Sequence, residues 1–264
     1  MIWASRLIFK SFRQWERTTQ IAFLLAAVLL VLAVILFLVA PPEYRLPVVI
    51  GGGLLLLVAQ GAVLWGNRFM VSPFTQAQRL YLTGDLDGAG DLLESARARG
   101  TADVRTLTLL GATYRQLGRL SESEQVLYEA LDKAPMHHFP LYNGGRTLLS
   151  AGRYEEALAL LQRAVDAGAP AAVRFDVAEA LILLGRSTEA ADVLQLIRNT
   201  LTEPHRALMA AWWLYRLRGG EPPPPTLIRE GLPYWEASAA RFAQTSYGQA
   251  IAEDAAALLR LVED

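Results

Sequence analysis

The stretch Leu109–Pro135, LLGATYRQLGRLSESEQVLYEALDKAP, is echoed by Gly144–Pro170, GGRTLLSAGRYEEALALLQRAVDAGAP, and the echo decides the fold. Its metronome is glycine: Gly84, Gly118, Gly152, Gly185 and Gly219 stand 34, 34, 33 and 34 residues apart. Seven residues before the first four come Ala77, Gly111, Gly145 and Ala178, all small. Five residues after them come Ala89, Ser123, Ala157 and Ala190, small again, and nine after come Leu93, Leu127, Leu161 and Leu194. Twelve after stand Ala96, Ala130 and Ala164, with Ile197 the exception, and four before each glycine stand Leu80, Tyr114, Leu148, Leu181 and Tyr215. A fixed period of this length marks stacked supersecondary units. Leu107, Leu110 and Tyr114 lie three and four apart, which is one face of a helix. The reading is all-α: two antiparallel helices per unit with glycine in the turn, small residues where backbones approach, and leucine and tyrosine between neighbouring units.

These residues resemble the tetratricopeptide repeat family. The resemblance covers residues 70–218, about four and a half repeats, and its motif specifies a fold rather than an activity. Gln76, Gly144, Ser187 and Ile197 depart from the usual residue types, so the first and fourth units match more loosely. Ser72 before Pro73 is a helix-start signal. Pro135 and Pro170 fall near the expected ends of second helices.

The fifth unit is half a repeat. Thr202-Glu203-Pro204 opens a helix to Arg218, but Trp212 occupies the small site and is expected to block a close second helix. Gly219-Gly220 and the run Pro222–Pro225 then break the pattern. The prolines read as a stiff spacer, with a polyproline ligand as the alternative. Residues 226–264 read as a helical C-terminal cap, since an end repeat leaves its stacking face bare; a separate docking module is the alternative. Thr226–Leu232 and Tyr234–Phe242 are expected as two short helices, and Ser246-x-x-Gln249 as the capping box of a last one.

Upstream, Ile21–Ala40 is twenty residues without a charge, enough at about 1.5 Å per residue to span a hydrocarbon core of about 30 Å. A second run, Val48–Trp65, contains Gly51, Gly52, Gly53, Gln60 and Gly61. Residues 21–66 are therefore expected to form a two-helix transmembrane hairpin. A signal peptide for the first run, and a buried or re-entrant helix for the second, are the alternatives. Arg6, Lys10, Arg13 and Arg17 precede the first run, Arg45 lies between, and Arg68 and Arg79 follow. This balance places both ends in the cytoplasm and the protein in a bacterial inner membrane. Residues 1–20, with Trp3, Leu7, Phe12 and Trp15 among the basic residues, are expected to be an amphipathic interfacial segment or a partner-binding arm.

Over 264 residues the charge is -1, with 53% hydrophobic and 19% charged residues, which argues against a disordered chain and against nucleic-acid binding. Only Lys10 and Lys133 are lysines among 25 basic residues, an arginine-rich usage that suggests a GC-rich bacterial genome. The absence of cysteine removes disulfides, thiolate metal sites and cysteine nucleophiles. His137 and His138 lie in a turn, without ligands at metal spacing, and His205 stands alone. Asp85-x-Asp87-x-x-Gly90 resembles the opening of an EF-hand loop, but Ala96 holds the twelfth position. No catalytic, cofactor or metal site is expected.

What remains is a surface. By resemblance to the family, the first helix of each unit lines a concave groove. Its candidate partner-binding residues here are Phe74, Gln78, Tyr81, Arg105, Thr108, Arg115, Gln116, Phe139, Tyr142, Arg146, Phe175 and Glu179. Aromatic residues beside arginines suit binding hot spots. The family's carboxylate clamp maps onto Thr108, Ala112, Asn143, Ala172 and Asp176, of which only Asn143 matches. The expected function is that of a membrane-anchored scaffold or assembly factor gripping another protein in the groove. The alternative is an accessory subunit of a larger membrane complex, contacting it through the hairpin.

Overall fold

The computed structural model describes residues 17–39, 41–67 and 72–263, and every regular element among them is helical. Two compact units divide the chain between Ser72 and Pro73. In the first, α1 (Arg17–Val39) and α2 (Arg45–Asn67) pack against each other across a short 3-10 turn at Pro42–Tyr44. Gly52 lies on the contact: a methyl group there would sit 3.5 Å from the Ala33 side chain. The apolar side chains described here are largely exposed, Leu38 and Val39 at 71% and 79%.

Among the described residues no helix is long and apolar enough to cross a membrane. This corrects the expected transmembrane hairpin, and with it the two-span inner-membrane location, the cytoplasmic orientation and the membrane-embedded partner. A span needs roughly 18 or more apolar residues in an unbroken row. In α2 the apolar row is interrupted by Gly51, Gly52, Gly53, Gln60 and Gly61. The expected interfacial segment lies outside the described residues over positions 1–16.

The second unit is built of helix pairs. They are α3 (Pro73–Thr83) with α4 (Leu86–Ala98), α5 (Val104–Gln116) with α6 (Leu120–Lys133), α7 (His138–Ser150) with α8 (Tyr154–Asp166), and α9 (Val173–Leu183) with α10 (Ser187–Ile197). At Gly118 and Gly152 the turn requires φ of 76° and 80°, which a side chain resists. Each turn closes the first helix with a six-to-one bond, Arg119 N to Tyr114 O at 2.8 Å and Arg153 N to Leu148 O at 2.9 Å. The next helix starts there with an arginine paired to a glutamate three residues on: Arg119 with Glu122, Arg153 with Glu156, Arg186 with Glu189.

Within each pair the small position receives the leucine. A methyl on Gly111 would fall 2.4 Å from Leu127 Cγ, and one on Gly145 2.7 Å from Leu161 Cγ. Ala77, Leu93, Ala178 and Leu194 hold the same positions in the outer pairs, and all are buried. Ser123 donates to the Gly111 carbonyl at 2.7 Å and meets Thr147 at 2.8 Å, so the one polar member of the small set satisfies a backbone group and links neighbouring pairs.

The end of the stack is closed by α11 (Pro204–Arg218), α12 (Pro225–Arg241) and α13 (Ser246–Glu263). Three details differ from the sequence reading. The two short helices are one, because Pro233 removes a single N–H from α12 without ending it. Trp212 does not bar a close second helix: α12 approaches α11 one turn earlier, where a methyl on Gly231 would meet Leu208 Cβ at 2.9 Å. The Trp212 and Trp213 indoles instead donate to Asp254 of α13 at 2.9 and 2.8 Å. Finally, the cap of α13 is Thr245, whose hydroxyl accepts from Gly248 N at 3.2 Å, while Ser246 bonds the Tyr154 hydroxyl.

The close approach predicts opposite outcomes for two glycines in helices. Gly111→Ala overpacks against Leu127 and should lower unfolding free energy by about 1–3 kcal/mol. Gly90→Ala meets nothing nearer than 3.8 Å and should raise it by about 0.5–1 kcal/mol through helix propensity. Urea unfolding of each variant against wild type measures both.

Candidate functional site: the first helices of the stack

Helices α3, α5 and α7 each start with residues that face one cavity. Its volume is about 220 Å³, and it is lined by Phe74, Gln78, Val104, Arg105, Thr108, Leu109, Ala112, His137, Phe139 and Asn143. The Arg105 guanidinium lies over the Phe74 ring, 4.6 Å from its centre, a cation–π contact on an exposed side chain. Phe139 is 54% exposed despite its size and stands beside the stacked rings of His137 and His138. The Asn143 amide donates to the Phe139 carbonyl at 3.0 Å, so the one residue matching the carboxylate clamp is engaged within its own helix.

Phe139 is shared with a second cavity of about 260 Å³, where it is joined by His138, Tyr142, Ala169, Pro170, Ala172, Val173, Glu203 and Arg206. Arg206, on α11, donates to the Tyr142 hydroxyl at 3.0 Å and to the Ala172 carbonyl at 2.8 Å. Burial raises the Tyr142 pKa and Asp176 adds to it, while Arg146, Arg206 and Arg115 pull it down.

Five of the sequence-selected residues thus meet in the first cavity: Phe74, Gln78, Arg105, Thr108 and Phe139. Tyr142 joins Phe139 in the second. Tyr81 and Gln116 are half-buried and line neither cavity. Arg146, Phe175 and Glu179 lie in the interior. Phe175 is 1% exposed and stacks on Trp213 of α11 at 5.7 Å, with Trp235 of α12 at 6.2 Å. Arg146 donates to Asp176 at 2.8 Å and to Glu179 at 2.7 Å, and Tyr247 of α13 donates to Glu179 at 2.9 Å. Burial works to lower the Arg146 pKa, but Asp176, Tyr247 and Glu179 hold it well above the usual arginine value. Burial raises the Glu179 pKa, opposed chiefly by Arg146.

The C-terminal helices therefore occupy part of the face that the first helices would otherwise present. Sequence reasoning missed Val104, Leu109, His137, Glu203 and Arg206 as lining residues; the last two belong to the start of α11, beyond the complete repeats. Among the described residues, no group of three or more histidine, aspartate or glutamate side chains is placed to hold a metal ion.

Arg115 sits one turn beyond Ala112 on the same face of α5. It is 7% exposed, its Nε is buried without a hydrogen-bond partner, and no carboxylate among the described residues lies in ion-pair range. Asp176 Oδ2 also accepts no hydrogen bond, with the Arg206 guanidinium 3.5 Å away.

Comparison with known proteins agrees with this architecture. Tetratricopeptide repeat family models match residues 104–134 and 142–201, so the chain carries tetratricopeptide repeats. No curated protein matches the chain. Similar solved structures include MamA from AMB-1, 23% identical over 66% of this chain and 100% of that one, with a TM-score of 0.48. A thermophilic TPR protein from Thermus thermophilus is 18% identical over 71% of this chain and 97% of its own, also at 0.48. MamA from Desulfovibrio magneticus RS-1 is 18% identical over 72% and 93%, at 0.43.

A pH dependence follows from His205, which stacks on Tyr234 with ring centres 3.9 Å apart. Burial, then Arg206, lowers its pKa from 6.5 to about 4. The folded state thus favours the neutral ring. That contribution is complete above pH 6.5 and is lost as the pH falls toward and through about 4. The melting temperature should decline from pH 6.5 to about 5, and His205→Phe should flatten that decline while keeping the stack. Melting curves of both proteins across this range check it.

Proposed function

We propose that the chain is a protein-binding scaffold that holds an extended segment of another polypeptide along α3, α5 and α7. The observation that carries this reading is the pair of adjoining cavities with an exposed phenylalanine, Phe139, between them. A large aromatic side chain left in water beside a concavity gains most when a partner covers it. The rigid stack supports the reading, since helices already packed lose little freedom on binding. The C-terminal helices limit the segment's length by filling the face over Phe175 and Glu179.

In this reading the double variant Phe74→Ala, Phe139→Ala weakens capture of the natural partner by more than about 2 kcal/mol, roughly thirtyfold. Tyr128→Ala, at a side chain 44% exposed on α6, leaves it unchanged. A photo-crosslinker at position 78, an exposed residue lining the first cavity, supplies the readout. An identical set of crosslinked polypeptides, in identical yield, from wild type and the double variant removes the groove from the account.

A second reading, that α1 and α2 supply the main contact to a larger assembly, is favoured by the exposed apolar side chains of those helices. Gly51 and Gly53 meet nothing within 4 Å, whereas Gly52 is occupied by Ala33. Leucine at 51 or 53 should then break the assembly and leave the hairpin intact. Blue-native electrophoresis separates the two readings, because groove binding predicts no change.

A further inference from the structure

The buried polar cluster on the concave face carries more positive than negative charge. Arg206 donates to the Tyr142 hydroxyl, which lines the second cavity, and Arg146 and Arg115 add positive potential there. Opposite them stand two carboxylates, Asp176 and Glu179, both committed to Arg146. Arg206 leans on Asp176 at 3.5 Å and is otherwise satisfied by Tyr142 and Ala172. Arg115 is left over, more than nine-tenths buried and without a counter-ion. A guanidinium with no counter-ion is open to a charge-assisted pair with a carboxylate brought beside it.

Its position says what would bring one. Thr108, Ala112 and Arg115 are spaced four and three residues apart, so they lie along one face of α5, and the first two line the first cavity. Arg105 stands at that cavity's other end, over Phe74, and is the one side chain lining it with a permanent charge. The cavity is thus apolar and aromatic with Arg105 at one end and no acid among its lining residues, and Arg115 stands one turn beyond its Ala112 wall on the same face of α5.

We propose that the segment bound in this groove is acidic: an aspartate or glutamate side chain pairs with Arg115, and a bulky apolar side chain next to it fills the cavity between Phe74 and Phe139. This rests on the groove reading given above. It adds the chemistry of the partner.

The test uses the full chain and three synthetic octapeptides, titrated by fluorescence anisotropy. The first alternates glutamate with phenylalanine and has blocked ends. The second replaces each glutamate by glutamine. The third is the glutamine peptide with a free C-terminal carboxylate. Wild type should bind the glutamate peptide at least about tenfold more tightly than either of the others. Arg115→Gln should abolish that preference while retaining the weaker binding contributed by phenylalanine, and Arg115→Lys should keep part of it.

Equal affinity for the glutamate and glutamine peptides in wild type overturns the proposal, whatever the variants do. So does an absence of binding up to about 1 mM, a glutamate preference undiminished in Arg115→Gln, or a preference for the free-carboxylate peptide, which would assign the site to a chain terminus. Crosslinking from position 78 tells this failure apart from failure of the groove itself. Partners captured there by a groove with no glutamate preference leave the groove standing and remove only the acidic chemistry.

Discussion

A leucine pressed into the place of a missing side chain is the contact on which the rest of the second unit depends. Where Leu127 meets Gly111 and Leu161 meets Gly145, even a methyl group would overlap the leucine. The two helices of each pair therefore sit close enough for their backbones to define the spacing of the stack. The turn glycine, the closing hydrogen bonds and the arginine–glutamate pair at the next helix start all serve to bring each leucine to its opposite position. Because the same approach recurs in successive pairs, the first helices arrive side by side with their N-terminal turns aligned. That alignment brings Phe74, Arg105 and Phe139, from three different helices, to one cavity.

Periodicity is what made this legible. A contact repeated at a fixed interval leaves residues of one size at one interval, and the small and leucine positions could be read without coordinates. The six-residue cluster around Phe139 and Tyr142 was legible for the same reason, since each residue is placed by the repeat that carries it. The remainder is set by contacts made once. Arg146 and Glu179, six residues before their glycines, and Phe175, ten before, hold the repeat positions of Gln78 and Phe74, yet Trp213, Trp235 and Tyr247 of the closing helices pack on Phe175 and Glu179. Trp212 looked obstructive at a small site because the reading assumed that the next helix would cross there; it crosses at Gly231, against Leu208. Thr245 displaced Ser246 as the cap because the Ser246 hydroxyl had a partner in Tyr154, 92 residues away. The arginine–glutamate pairs at 119/122, 153/156 and 186/189 carried a repeat signal of their own that the glycine count overshadowed.

The two units fared differently for a related reason. Apolar content alone marked residues 21–66, and content is a weaker guide than pattern, because it does not say what the apolar surface faces. Among the described residues there, no helix is long and apolar enough to be a span.

The polar cluster under the C-terminal helices has consequences beyond stability. A buried ion pair gains little over a well-packed apolar contact, but it is strict about geometry. Tyr247 must reach Glu179 while Glu179 reaches Arg146, and Asp254 must meet two indoles and Arg216 at once. Apolar packing of Phe175 on Trp213 and Trp235 would tolerate small shifts of α11 and α12; these bonds fix their register. That register determines where the open groove stops, because Arg206 of α11 forms a wall of the second cavity and the helices after it cover the face beyond. Directional bonds at the cap thus set the length of surface left for a partner, while Arg115 of α5 takes no part in them, its buried Nε without a hydrogen-bond partner. The extent of the groove is thus set from beyond the complete repeats, by the helices that close the stack.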